Sequence, residues 1–282
     1  MTAPAPDTCR TEHDSETLAS RKNSSQLRPG YHATTMRGWF ITGTDTGVGK
    51  TIVAAALTRW CCDRGYRVGV CKPVATGVPP GQISEDTRLL MQAAGLCDSH
   101  FVSTSERGSS VLGSADWARR VTPWSFAEPA APTVAARLVG QCLDFDAIVS
   151  AVRAWQAWVD WLVVEGIGGL LCPLTEGKTV ADLAAVVNLP LVIVSRTALG
   201  TLNHTLLTVE AAQRRGLPVA GIVLNESTVP TGSWAELTCE DELRRWLTVP
   251  ILARVPYAAD PIVSAWQTLR KIPWNEFAGP IS

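Results

Sequence analysis

The chain has 282 residues, 46% hydrophobic and 18% charged, with a formal net charge of -1. That balance suits a well-buried globular core, supplies no basic field for nucleic acid, and includes no apolar run near the ~20 residues of a membrane helix. Eight cysteines (9, 61, 62, 71, 97, 142, 172, 239) form no C-x-x-C pair, and four histidines (13, 32, 100, 204) form no metal-ligand spacing. They read as the thiols and imidazoles of a cytoplasmic protein, not as a disulfide framework or a zinc site.

In chain order, residues 1–36 come first and differ from the rest. They are rich in Thr, Ser, Pro and charge and poor in large apolar side chains, so this segment cannot bury enough surface to order itself. It lacks the apolar core of a signal peptide, and Asp7, Glu12, Asp14 and Glu16 count against a transit peptide. The expectation is a dispensable, disordered N-terminal extension followed by one α/β domain over 37–282.

Strands are expected at 38–42, 67–72, 159–164, 190–195, 219–224 and 250–254, each a short β-branched, apolar run closed by a turn or polar residue. Helices are expected at 50–63, 84–94, 134–157, 179–187, 201–215 and 237–247, with Gly216 at the C-cap position of the fifth. Strands this apolar imply burial on both faces. The fold class is therefore α/β: a single phosphate-loop-type domain with a mostly parallel sheet and helices on both faces. Ligands in such sheets bind beyond the carboxyl ends of the strands.

The first strand ends in GTDTGVGKT, residues 43–51. This is one residue longer than the usual G-x-x-x-x-G-K-[ST] loop, since glycine stands at 43 and threonine at 44. Strand, glycine loop and helix follow in the order that points backbone N–H groups at anionic oxygens. Lys50 would reach the outer phosphates and the Thr51 hydroxyl would take Mg²⁺. The second strand ends in Lys72-Pro73, which aims a lysine into the same crevice. Alone it reads as a surface charge; beside a phosphate loop it reads as a group that stabilises developing negative charge. Ser84 is a candidate cap for the next helix, with Asp86 in its first turn. Glu165 ends an intensely apolar strand before Gly166-Ile167-Gly168-Gly169. A carboxylate there needs a cation or several donors, and a hydroxyl with two carboxylates suits Mg²⁺.

Taken in order, GTDTGVGKT, CKPVATG, SED, FAEPAAP, VEGIGG, LGTLNH and GIVLNE resemble the motif series of the dethiobiotin synthetases, from about residue 38 to about 256. Members of that family carry the same lengthened loop. The resemblance implies an ATP- and Mg²⁺-dependent C–N ligase that closes 7,8-diaminononanoate and CO₂ into a cyclic urea, through a carbamate and its phosphoric anhydride. It implies that Gly43, Thr44, Asp45, Gly47, Val48, Gly49, Lys50, Thr51, Glu165, Gly168 and Asn225 hold the nucleotide, with Asn225 reading adenine. Lys50, Lys72 and Thr46 are implied in catalysis, and Thr51, Asp86 and Glu165 as metal ligands. Thr76, with Gly200, Thr201 and Asn203 from a partner subunit, is implied in diamine binding, which makes the expected assembly a homodimer with the substrate site at its interface. Gly47, Ile167 and Ala198 depart from residues common in the family. FAEPAAP either lines the diamine's alkyl chain or braces the dimer, and the sequence does not choose.

Two other functions compete. ATP-switch proteins of the partitioning type carry a signature lysine where this chain has Asp45. ATP-dependent amidotransferases need a glutamine-splitting domain, for which the 26 residues after 256 are too few.

Overall fold

The computed structural model describes residues 37–96 and 113–280. The expected N-terminal extension lies outside the described residues, as do Cys9, Cys97 and the histidines at 13, 32 and 100. The described residues belong to one compact unit.

The body opens with β1 (Arg37–Gly43), α1 (Lys50–Cys62), β2 (Val68–Cys71), β3 (Val74–Thr76) and α2 (Glu85–Ala93). Then come α3 (Ser114–Val121), β4 (Trp124–Phe126), α4 (Pro132–Leu138), α5 (Phe145–Arg153), β5 (Trp161–Glu165), β6 (Pro173–Thr175) and β7 (Lys178–Thr179). The remainder is α6 (Val180–Val187), β8 (Leu191–Arg196), α7 (Thr201–Arg214), β9 (Val219–Asn225), α8 (Trp234–Trp246), β10 (Ile251–Val255), α9 (Pro261–Leu269) and β11 (Gly279–Pro280).

The main sheet runs β10-β9-β8-β1-β5-β2, all parallel, with β11 antiparallel on β1. Strands β2 and β5 are buried at every position, while the edge strand β10 is only partly covered. This is the expected consequence of runs that are apolar on both faces. The chain leaves β1 for β2 and β5 on one side, and later passes to β8, β9 and β10 on the other. The direction reverses at β1, so its carboxyl end, where the phosphate loop begins, is the topological switch point.

The six expected strands are found within a few residues, and so are five of the helices. The expected helix 134–157 is corrected. It is two helices, α4 and α5, followed by a 3₁₀ turn at Ala154–Ala157. Gly140, at φ 68°, turns the chain after α4. Asp144 then starts α5 afresh, accepting from the Asp146 and Ala147 N–H groups at 2.8 and 3.4 Å. Helix α9 was not expected, although Asp260 caps it and Pro261 opens it. It packs on α1.

Candidate active site

The loop after β1 is anchored before it can bind anything. The Thr44 N–H donates to the Val194 carbonyl at 3.0 Å, tying the loop to β8. Asp45 accepts from the Thr46 N–H at 2.7 Å and from Arg196 at 3.3 Å. Asn225, at the end of β9, donates to the Val48 carbonyl at 3.0 Å. Gly49 has φ 96°, and a Cβ there would stand 2.2 Å from the Asn225 amide nitrogen, so both backbone and packing require glycine. Lys50 opens α1 and donates to the Asp45 carbonyl at 2.8 Å. Its ammonium is thereby folded back over the loop it serves.

Opposite the loop, β2 delivers Lys72 and β5 delivers Glu165, 6% and 1% exposed. Lys72 Nζ donates to Glu165 Oε1 at 2.9 Å and also to Asp86, on the first turn of α2. Glu165 Oε1 accepts a second bond from the Thr51 hydroxyl at 2.8 Å. Glu165 Oε2 is buried without a partner among the described residues. These four side chains come from four elements, and they meet because parallel strands end on one edge of the sheet.

Charge in this cluster is strongly interdependent. Burial pulls the Lys72 pKa down, but Glu165 and Asp86 outweigh it and leave it raised above the ordinary lysine value. Burial likewise acts to raise Asp86, yet the charge and hydrogen bond of Lys72, with help from Thr51, hold it below the usual carboxylate range. Lys50 goes the other way: burial lowers its pKa, Glu165 opposes this, and the nearby Lys72 charge adds to the lowering.

The cluster floors a cavity of about 680 Å³. From the phosphate loop, Thr46, Gly47, Gly49, Lys50 and Thr51 line it. Across from them stand Lys72, Thr76, Asp86, Glu165 and Gly168. Gly43, Thr44, Asp45, Val48 and Asn225 do not line it; they shape the loop from the β8 and β9 side. Gly200, Thr201 and Asn203 are not brought to this cavity. Gly200 enters α7 at φ 92°. The Thr201 hydroxyl donates to the Arg196 carbonyl at 2.5 Å and bonds Ser195 Oγ at 2.8 Å, so it braces the turn between β8 and α7.

Within one chain, FAEPAAP packs against the loop after β3. Phe126 pairs with Thr76 in the β3–β4 ribbon, the Gly77 N–H donates to the Glu128 carbonyl at 3.2 Å, and the Val78 N–H to Phe126 at 2.9 Å. The segment braces the Thr76 loop and does not line the cavity. Two features escaped the sequence reading. One is Arg196, whose apolar neighbours in β8 hide its reach to Asp45. The other is a hydroxyl chain through Ser84, Thr87 and Thr122.

The donor set suits a hard divalent cation. Thr51, Asp86 and Glu165 are all oxygen donors, and Glu165 Oε2 is buried with no hydrogen-bond partner among the described residues. Lys72 already shows that this point attracts positive charge. Among the described residues, no three His, Cys, Asp or Glu side chains gather as a cation cage. A metal here would draw its other ligands from phosphate oxygens and water, which is the habit of Mg²⁺.

The sequence profile of the AAA domain family (AAA_26) matches residues 37–262. The ATP-dependent dethiobiotin synthetase BioD of Anaeromyxobacter dehalogenans (strain 2CP-C) is 41% identical over 238 residues, covering 82% of this chain and 98% of that protein. The enzyme of the same name from Bacillus subtilis (strain 168) is 35% identical over 226 residues, covering 80% and 89%. Among solved structures, a ParA family ATPase from Chlorobium tepidum TLS aligns at a TM-score of 0.46 and 16% identity, over 84% of this chain and 93% of that one.

Proposed function

The chain belongs to the ATP-dependent dethiobiotin synthetase family, a ligase family of biotin biosynthesis, and from that premise we propose that it closes 7,8-diaminononanoate and CO₂ into dethiobiotin at the expense of ATP. The observation that carries the reading is the joining of Lys72, Asp86 and Glu165, across the cavity from Lys50, to Thr51 of the phosphate loop.

In this reading one substrate amine takes up CO₂ and loses a proton, giving a carbamate. A carbamate oxygen attacks the γ-phosphorus and ADP departs. The second amine then attacks the carbamoyl carbon, inorganic phosphate leaves, and the cyclic urea remains after loss of its proton. The chain's tasks are to cradle phosphates, hold charge and align amines. The loop N–H groups and the α1 N-terminus receive the phosphates. Lys50 exchanges the Asp45 carbonyl for outer phosphate oxygens. Lys72, kept cationic by its two carboxylates, faces the carbamate and the transferred phosphoryl group, with Thr46 on the loop side. Thr76 contacts the diamine. When Mg²⁺ is bound, by Thr51, Asp86 and Glu165, it neutralises charge on the phosphates.

Gly200, Thr201 and Asn203 lie away from this chain's cavity, and Leu199 beside them is 86% exposed. Both facts support a homodimer in which the α7 N-terminus serves the partner's diamine. Asn225 is assigned to adenine through the part of its amide not spent on Val48.

The test is a product assay by mass spectrometry with ATP, Mg²⁺, 7,8-diaminononanoate and ¹³C-bicarbonate. A labelled cyclic urea that disappears in Lys72→Ala is the expected result. ATP hydrolysis with no labelled product would reject the reaction and favour an ATP-switch function.

A further inference from the structure

The first turn of α2 carries a hydroxyl chain that the proposed reaction leaves unused. Ser84 Oγ accepts from the Thr87 N–H at 3.0 Å and shares a hydrogen bond with the Thr87 hydroxyl at 2.5 Å. The Thr87 hydroxyl shares another with Thr122 at 2.7 Å. Thr87 and Thr122 are 2% and 6% exposed. Helix capping accounts for Ser84. It does not call for the bond to Thr122, which lies 35 residues further on and outside the helix.

The position of Thr122 gives the bond a purpose. Its neighbour Val121 accepts the Lys72 N–H at 2.8 Å. The dipeptide Val121-Thr122 therefore holds Lys72 through backbone on one side and Thr87 through a hydroxyl on the other. Thr87 directly follows Asp86. Both members of the Lys72–Asp86 ion pair are thus registered to the same two residues. The other buried residues of α2 are Leu90 and Met91. They pack one turn further on, away from the first turn that carries Asp86. In the first turn itself the buried residue is Thr87, and its bond to Thr122 ties that turn to the segment that holds Lys72.

We propose that Thr87 and Thr122 are positioning residues that set the gap between Asp86 and Lys72, and so hold Asp86 ready to ligate Mg²⁺. The proposal rests on the reading of Asp86 as a metal ligand. It is independent of which substrate the enzyme closes.

The experiment measures ADP affinity by calorimetry, once with Mg²⁺ and once with EDTA, for the full-length protein and for Thr87→Val, Thr87→Ser, Thr122→Val and Thr122→Ser. Valine keeps the shape and removes the hydroxyl; serine keeps the hydroxyl. The Mg²⁺-dependent gain in affinity should fall about tenfold in both valine variants, the range seen when outer-shell partners of metal ligands are lost. Affinity in EDTA should hold, and both serine variants should keep the gain. In an Asp86→Asn background, Thr122→Val should produce no further loss, because its effect runs through Asp86. The proposal is overturned by an undiminished gain in the valine variants, by serine losing as much as valine, or by equal losses with and without Mg²⁺. If this pattern holds while the wild-type protein makes no cyclic urea, the positioning role stands and the proposed reaction falls.

Discussion

Lys72 shows how much rests on single side chains. Its ammonium is shared by two carboxylates, and among the described residues one of them, Glu165, has only Thr51 as a further donor. Replacing Lys72 by methionine keeps the volume and strands Glu165 in a site where it is 1% exposed. Breaking a buried pair in this way costs about 3 kcal/mol. The unfolding free energy from urea titration should fall by that much while product formation vanishes; a variant as stable as the wild type would show that Glu165 has another partner. Asp86 sets a pH signature. Its folded pKa lies below its unfolded value, so its contribution to stability is present above the unfolded value and lost as pH falls through the folded one. The stability difference between wild type and Asp86→Asn should stay level across neutral pH and shrink only below about pH 4. Lys72, raised above its unfolded value, loses its contribution only in strong alkali. Denaturation curves at a series of pH values check both, and a difference that changes near neutrality would contradict the assigned pairing.

At the scale of elements, what sequence made legible was whatever depends on near neighbours. GTDTGVGKT announced a strand, a loop and a helix because its glycines, lysine and threonine act within nine residues. Ser84 and Gly216 marked helix ends and were found there, Ser84 bonding the Thr87 N–H and Gly216 at φ 65°. The run 134–157 misled because apolar residues continue through it, while the break depends on one left-handed glycine and one aspartate cap. Close approaches between elements were invisible too. On β2, a Cβ at Gly69 would meet the Trp155 ring at 2.5 Å, and Trp155 is 1% exposed. Gly69→Ala should overpack this contact and destabilise by about 1–3 kcal/mol, which a thermal melt reads directly. An unchanged midpoint would mean that the 3₁₀ turn carrying Trp155 shifts freely.

For the molecule as a whole, the family profile matches 37–262 and β1 begins at Arg37. Residues 1–34 contain few large apolar side chains with which to pack. A chain started at Met36 should keep full turnover and the same melting midpoint, and a loss in either assay would give the extension a role. At working concentration, light scattering should return twice the chain mass, and Leu199→Asp should halve it, if α7 serves a partner's site; a monomer that turns over normally would contradict the shared site. The phosphate loop, the order of the motifs, the parallel α/β class and the family were all present in the linear chain, because each depends on residue type and short spacing. Other features needed the folded sheet. Lys72 meets Glu165 across 93 residues, Thr51 meets Glu165 across 114, and Asn225 meets Val48 across 177. No local pattern encodes such distances. They follow from which strands lie side by side, and strand order is fixed by the packing of both sheet faces against helices drawn from the whole length of the domain.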